Sequence, residues 1–216
     1  MNYKDCYILW SWDGTLVDTT PRHVSLASQI ISKNFGVTPQ FAMKKYLELL
    51  GIPFGVQIQR LFPGADQVVI DRSVMEYDAR KMKEIYEEMI DFPDIFATIE
   101  GVHEAFPGIN QVISSLAEED LIGEWVTTRG LLPFFSDICG RESGTKVDHI
   151  SMISQLNRQA RICLVSSFVR DMCLPAKCLG VDVSQIRTRS FMRSKAFSFT
   201  EDKVNLDWIT AMIDIL

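Results

Sequence analysis

The sequence has no apolar run long enough to cross a membrane and no feature of a secreted protein. A membrane-spanning helix needs roughly 18 consecutive apolar residues, whereas the first apolar run, Tyr7 to Trp12, is cut short by Asp13. That run is also too short for a signal peptide, and no cleavage site follows it. The five cysteines are odd in number and show no Cys-x-x-Cys spacing, which is typical of reduced, buried thiols. The sequence therefore predicts a cytoplasmic protein without a membrane partner.

An excess of positive charge is also missing. The chain has 22 Lys and Arg against 28 Asp and Glu, a formal net charge of −6, which argues against broad binding of nucleic acid or anionic membranes. The basic and aromatic stretch between Arg187 and Phe197 is better explained as a solvated loop than as an anion contact. The three histidines share no metal-ligand spacing. Small molecules or proteins are therefore the expected partners.

The composition is that of an ordinary globular protein with two kinds of region. Of its 216 residues, 47% are hydrophobic and 23% are charged, which is enough for a substantial core. A buried-strand pattern at Cys6–Trp10 is followed by helical spacing from Pro21 to about Asp94. Strands and helices alternate again after Pro107.

This order predicts an α/β fold with an insertion. Alternating strands and helices indicate a Rossmann-like, doubly wound parallel sheet, assigned to residues 1–18 and 97–216. The intervening residues, 19–96, are predicted to form an all-helical domain of four or five helices. A chain of this length accommodates one core domain with a smaller inserted one.

The second half of the chain yields a specific series of predicted elements. In order, they are a helix through Val112 and Leu116, a strand near Gly123 to Thr127, an apolar segment Phe134 to Cys139, a helix from Val147 to Leu156, a strand Ile162 to Val165, a helix from Val169 to Leu179, a strand near Val183 to Ile186 and a C-terminal helix through Trp208. One step is irregular, because only six residues separate the second strand from the segment at Phe134, whereas a parallel crossover needs a dozen or more.

Polar residues follow the predicted strands, and the carboxyl ends of parallel strands meet at one edge of such a sheet. These residues are Ser11 and Asp13, then Thr127 and Thr128, then Lys146, and finally Ser166, Ser167 and Asp171. They are the candidate functional site. Ser166 and Ser167 also fit an N-cap of the following helix.

The stretch from Trp10 to Thr19 resembles the first motif of the haloacid dehalogenase superfamily, Asp-x-Asp-Gly-Thr, except that Ser11 stands in the place of the nucleophilic aspartate. The order of the four strand ends and the helical insert are similar to the phosphoglycolate phosphatase and β-phosphoglucomutase branch, whose insert is a cap domain. The resemblance implies that Asp13 is a general acid/base, that Thr127, or less well Thr128, holds phosphoryl oxygens, and that Lys146 is the balancing cation.

The same resemblance implies a depleted Mg²⁺ site. The family takes its metal ligands from the nucleophile, from the backbone carbonyl at the Asp13 position and from a motif IV Asp, where this chain has Ser167; Asp171 matches a second Asp of that motif. A serine hydroxyl also needs a base, whereas an aspartate is already ionised at neutral pH. Mg²⁺ is therefore the family's cofactor, but no cofactor is expected here.

Three functions remain open at this stage. The favoured one is a catalytically impaired member that binds a phosphorylated ligand or a protein partner, because the loss of two carboxylates leaves Lys146 less compensated. The second is a slow phosphatase acting on a small phosphorylated metabolite, with Ser11 or water as the nucleophile. The third is a structural subunit whose pocket is plugged by Trp12, although strand alternation makes Trp12 a core residue by default.

Overall fold

The computed structural model describes residues 3–167 and the backbone of a strand at 186–190. The chain divides into two compact units: residues 1–17 with 91–216, and residues 18–90. The sequence predicts slightly different limits for the helical domain, with boundaries between residues 18 and 19 and between residues 96 and 97.

The first unit contains a five-stranded parallel sheet of order β3-β2-β1-β4-β5, as the α/β pattern predicts. Its strands are β1 Cys6–Trp10, β2 Asn110–Ser114, β3 Asp137–Cys139, β4 Arg161–Ser166 and β5 Ile186–Ser190. Its helices among the described residues are α5 Ile95–Ala105, α6 Glu119–Thr128 and α7 Lys146–Leu156. β1 lies in the middle of the sheet and its residues are mostly buried, which explains its unbroken apolar sequence.

One face of this sheet packs against α7. Leu9 of β1 and Leu164 of β4 form a buried cluster with Ile150 and Ile153, which are three residues apart on that helix. Cys139 of β3 belongs to the same cluster. This packing fixes the helix over the centre of the sheet, with its first turn toward the carboxyl ends of the strands.

The second unit is all-helical, as predicted. It contains α1 Thr20–Phe35, α2 Pro39–Leu47, α3 Phe54–Leu61, α4 Gln67–Lys81 and a π-helical continuation, Met82–Tyr86. Two predicted helix signals are confirmed. Gly36 ends α1 in the left-handed region at φ 66°, which glycine adopts without strain, and the side chain of Thr38 caps α2 by accepting the Phe41 N–H.

The chain passes between the two units at adjacent points. Val17 and Asp91 form an antiparallel bridge, and the Asp18 N–H donates to the Ile90 carbonyl at 2.7 Å. The Asp91 carboxylate accepts the Trp125 indole N–H at 2.7 Å and the Arg129 Nε–H at 2.6 Å. Entry and exit of the helical insert are thus tied to each other, and the exit is anchored to α6.

Two predicted elements of the first unit are wrong. Residues 110–114, predicted to be helical through Val112, form β2, and the predicted strand Gly123 to Thr127 lies in α6. This exchange removes the irregular crossover, because α6 is the helix that connects β2 to β3. The segment Phe134 to Cys139 does end in a strand, β3. The predicted helices at Val169 to Leu179 and through Trp208 lie outside the described residues.

Candidate active site

Ser11 lies at the carboxyl edge of the sheet, directly after β1. Its backbone N–H donates to the Val165 carbonyl at 2.9 Å and extends the pairing with β4 by one residue. Alternation along the strand places Ser11 on the face of Leu9, which α7 covers. Only 3% of its surface is exposed, so its hydroxyl is held in a defined, nearly dry position.

Lys146 is brought to Ser11 from the first turn of α7. Its ammonium donates a hydrogen bond to the Ser11 hydroxyl at 3.3 Å. The turn is held by a capping box: Thr145 Oγ1 accepts the Asp148 N–H, and the Asp148 carboxylate accepts the Thr145 N–H. Those bonds from Thr145 lower the pKa of Asp148. The structure therefore joins two of the predicted site residues, and the helix N-terminus adds partial positive charge beside them.

Asp13 lies two residues beyond Ser11, on a tight turn that follows β1. The Gly14 N–H donates to the Val17 carbonyl at 2.8 Å, and Asp13 forms an isolated bridge with Val17. Gly14 has φ 70°, the left-handed conformation that explains why Asp is followed by Gly here. Asp13 is half-buried. The turn thus places this carboxyl at the same edge of the sheet as Ser11.

Ser167, which follows β4, is joined to the same turn. Its hydroxyl donates to the Gly14 carbonyl, its backbone N–H donates to Thr15 Oγ1 at 3.1 Å, and the two hydroxyl oxygens are 3.1 Å apart. Ser167 and Thr15 are both buried. The Ser167 hydroxyl therefore stabilises the turn that carries Asp13.

The described residues do not fit a divalent cation. Ser11 Oγ accepts from the ammonium of Lys146, and the Ser167 hydroxyl is directed at a backbone carbonyl. Within residues 3–167 no three His, Cys, Asp or Glu side chains cluster in a way that could hold a metal ion. Mg²⁺ requires several hard oxygen ligands in octahedral geometry, and a resident ammonium competes with it electrostatically. Of the two predicted metal-binding residues, Asp13 is the single carboxylate of the turn after β1, and Asp171 lies outside the described residues.

Thr127 does not lie at the site predicted for it. It belongs to α6 and its side chain is exposed, as is that of Thr128, the last residue of the helix. Since neither residue follows a strand, neither reaches the carboxyl edge of the sheet as a strand end would. The prediction failed because Trp125 and Val126 have high strand propensity, although tertiary packing places them on the buried face of a helix.

The hydroxyl that sequence reasoning missed is Ser114, at the end of β2. The last pair of residues in the β1–β2 ladder is Trp10 with Ile113, so Ser114 is in register with Ser11 and on the same face of the sheet. It is fully buried. The six-residue crossover was a signal that could have identified Ser114. If the second strand is assigned to the β-branched pair Val112 and Ile113, enough residues remain for a helix before the next strand.

Trp12 is a core residue of the sheet unit. It is fully buried and packs edge-on against Trp125 of α6, with ring centroids 6.2 Å apart. This is the interpretation that strand alternation favoured.

The cysteines among the described residues, Cys6, Cys139 and Cys163, are free and buried, as predicted. Burial raises the pKa of the Cys163 and Cys139 thiols to about 12, so they are un-ionised and unreactive at neutral pH. Cys173 and Cys178 lie outside the described residues.

Together, fold and site define an α/β protein with a helical insert and a sheet edge that carries Ser11, Asp13 and Lys146. The sequence pattern of haloacid dehalogenase-like hydrolases matches residues 8–162, and the chain belongs to that family. No curated protein matches the sequence significantly.

Solved structures of this family share the fold. A predicted phosphatase from Clostridium acetobutylicum superposes with a TM-score of 0.70 at 15% identity, covering 100% of both chains. A haloacid dehalogenase-like hydrolase from Streptococcus pneumoniae has a TM-score of 0.65 at 19% identity, covering 97% of this chain and 98% of its own. A candidate phosphoglycolate phosphatase from Lactobacillus delbrueckii subsp. bulgaricus has a TM-score of 0.65 at 16% identity, covering 100% and 99%. Among the described residues, no helix combines the length and hydrophobicity needed to cross a membrane.

Proposed function

We propose that this chain is a catalytically impaired member of the phosphatase family that binds the phosphate group of a small phosphorylated molecule. The observation that carries the proposal is the hydrogen bond from the Lys146 ammonium to the Ser11 hydroxyl. A nucleophilic carboxylate at this position would be neutralised by that lysine. A serine contributes no negative charge beside this ammonium, which favours an anionic ligand at the strand end.

The charge balance of the site favours anion binding. With Ser at positions 11 and 167, the edge has two negative charges fewer than the family pattern, while Lys146 remains at the N-terminal turn of α7. Opposite charges about 4 Å apart attract by about 4 kcal/mol at the effective dielectric typical of a protein surface. A phosphate dianion can therefore bind there through the ammonium, the helix N-terminus and the serine hydroxyl without a bridging metal ion.

The same geometry opposes phosphoryl transfer. A serine nucleophile needs a group that accepts its proton, but the side chain that contacts the Ser11 hydroxyl is a donor, the Lys146 ammonium. Without a metal ion, the stabilisation of the developing negative charge that a divalent cation supplies is also missing. Binding without efficient turnover is the expected result, and no cofactor is part of the proposal.

The second candidate is a slow phosphatase, which the retained Asp13 favours. This carboxyl is held on the Gly14 turn as a general acid/base would be. Water or Ser11 would then attack the phosphorus.

A protein partner presenting a phosphorylated side chain would use the same anion chemistry as a small molecule. Competition with inorganic phosphate therefore does not distinguish the two kinds of ligand. Titration with a phosphorylated peptide and its unphosphorylated form does.

The test is a calorimetric titration with inorganic phosphate, followed by an aryl phosphate hydrolysis assay with and without Mg²⁺. We expect phosphate binding that does not require Mg²⁺ and that weakens about tenfold in Lys146→Gln, which corresponds to the loss of one charge-assisted hydrogen bond. The matched control is Lys44→Gln, since Lys44 is an exposed lysine of the helical insert. Absence of binding contradicts the proposal. Hydrolysis abolished by Asp13→Asn establishes the phosphatase instead.

A further inference from the structure

His149 is a fully buried histidine on α7 whose ring joins three parts of the sheet unit. Its Nδ1 lies 2.8 Å from Ser114 Oγ at the end of β2. Its Nε2 lies 3.2 Å from the Gly140 carbonyl and 3.3 Å from Ser143 Oγ. None of the functions considered so far uses this side chain, although it lies one helical turn from Lys146.

The hydrogen-bond partners assign the protonation state of the ring. A backbone carbonyl can only accept, so Nε2 carries the proton that is donated to Gly140. Nδ1 is then the acceptor, and the Ser114 hydroxyl donates to it. Burial lowers the pKa of His149, and the charge of Lys146 lowers it further. The imidazole is therefore neutral at physiological pH.

The charged groups around the ring are few. Lys146 and Asp148 face it from α7 itself, and Asp137 faces it from β3; the two carboxylates oppose the lowering of its pKa. The direct contacts of the ring are neutral: the hydroxyls of Ser114 and Ser143 and the carbonyl of Gly140. The ring is thus a neutral bridge within a largely uncharged setting.

This bridge controls where Lys146 lies. Lys146 and His149 are three residues apart and therefore on the same side of α7. The preceding turn ends at Gly144, with φ 114°, where a Cβ would lie 2.8 Å from atoms of Asp148. The first turn of α7 is consequently packed closely against the segment that leads into it. A shift of the Lys146 backbone away from the sheet edge would strain the hydrogen bonds of the imidazole to Ser114 and Gly140.

We propose that His149 is a positioning residue that preassembles the anion site by holding Lys146 beside Ser11. The inference rests on the proposed function and deepens it, because a cation fixed before the ligand arrives binds without the entropic cost of ordering a long side chain. Ser114 is part of the device, since its hydroxyl anchors the ring to β2.

The experiment compares His149→Leu, which fills the space without hydrogen bonds, with His149→Gln, whose amide can still donate to Gly140. The first readout is the acylation rate of the Lys146 amine relative to Lys44 in the folded protein, followed by peptide mass spectrometry with an N-hydroxysuccinimide ester. The second is the affinity for sulfate, an anion whose charge is constant across the working pH range.

We expect Lys146 to react about fivefold faster in His149→Leu and within about twofold of the wild type in His149→Gln, as the loss or retention of a buried hydrogen bond implies. Sulfate affinity should fall in the same order. If His149→Leu does not fold, Ser114→Ala, which removes only the anchor to β2, should give an intermediate acceleration. A histidine that serves stability alone would lower the unfolding midpoint without changing the Lys146 to Lys44 ratio.

The two proposals fail separately. Lys146 reactivity equal to that of the wild type in His149→Leu, or in Ser114→Ala if His149→Leu does not fold, overturns the positioning role, whatever the sulfate titration gives. A reactivity pattern as expected, with no binding of sulfate or phosphate by the wild type, sustains the positioning of Lys146 and overturns anion binding as its purpose.

Discussion

Ser11 and Ser167, the two serines that the sequence pattern compares with carboxylates of the family motifs, differ in their surroundings. The Ser11 hydroxyl accepts a hydrogen bond from the Lys146 ammonium. The Ser167 hydroxyl donates to a backbone carbonyl and lies beside Thr15, so it is part of the architecture of a turn. Ser11 is therefore paired with a charged group at the strand end, whereas Ser167 is a structural contact of the Gly14 turn.

The largest expected effect comes from introducing carboxylates at both positions. Under the proposed function, Ser11→Asp with Ser167→Asp supplies an ionised nucleophile and a hard metal ligand, so Mg²⁺-dependent hydrolysis of an aryl phosphate should rise at least about 100-fold over the wild type, because metal stabilisation alone is worth several kcal/mol. Initial rates with and without Mg²⁺ measure it. The single variants are the controls. Equal rates in wild type and double variant would show that the site has changed beyond these two residues.

The next effect separates the two serines by stability. Ser167→Ala removes buried hydrogen bonds to Gly14 and Thr15, and should lower the free energy of unfolding by about 1–3 kcal/mol. Ser11→Ala removes one longer contact with Lys146 and should cost less than about 1 kcal/mol. Urea unfolding followed by tryptophan fluorescence gives both values. A larger loss of stability in Ser11→Ala than in Ser167→Ala would contradict the conclusion that Ser167 is the structural contact of the two.

A smaller effect is expected at the glycine of the same turn. Gly14→Ala forces a side chain into the left-handed region at φ 70°, which should destabilise the protein by about 1 kcal/mol. The appropriate control is Gly123→Ala, where a Cβ would meet nothing within 4 Å and where alanine favours the helix. Unfolding midpoints of the two variants should therefore move in opposite directions.

The smallest effect concerns pH and the neutral imidazole. The pKa of His149 is lowered in the folded protein by burial, so below the unfolded value of about 6.5 the unfolded chain binds more protons than the folded one. The contribution of His149 to the free energy of unfolding is therefore constant above the unfolded pKa. It falls as the pH drops from the unfolded pKa to the lower pKa of the folded protein. Urea unfolding midpoints measured between pH 7.5 and 5 should show this loss in the wild type and less of it in His149→Gln. If the midpoint changes equally with pH in both proteins, His149 is not the titrating group.

The sequence predicted the central strand, the helical insert and the α/β class correctly because each had a strong local signal. The run ending at Trp10 is apolar throughout, as a strand buried on both faces requires. Gly36 and Thr38 end and start helices by backbone geometry that few other residues satisfy. The pairing of Ser11 with Lys146 followed from the rule that strand ends converge.

The sequence did not predict β2 or Ser114, because the competing signals there are weak or misleading. Val112 and Ile113 are too short a run to outweigh the helical spacing that Leu116 completes by chance. In α6 the residues Trp125 and Val126 resemble a strand, yet with Ile122 they form a buried helical face. The role of His149 could not be predicted at all, since its partners are 35 and 9 residues away in sequence.

The antiparallel bridge between Val17 and Asp91 has a consequence for how this architecture can change over evolutionary time. Because the insert leaves and rejoins the sheet unit through adjacent, hydrogen-bonded residues, the sheet does not constrain how many residues lie between those points. The entropy of closing such an excursion grows only slowly with its length. Lineages can therefore lengthen, shorten or exchange the inserted module at little cost in the stability of the sheet unit.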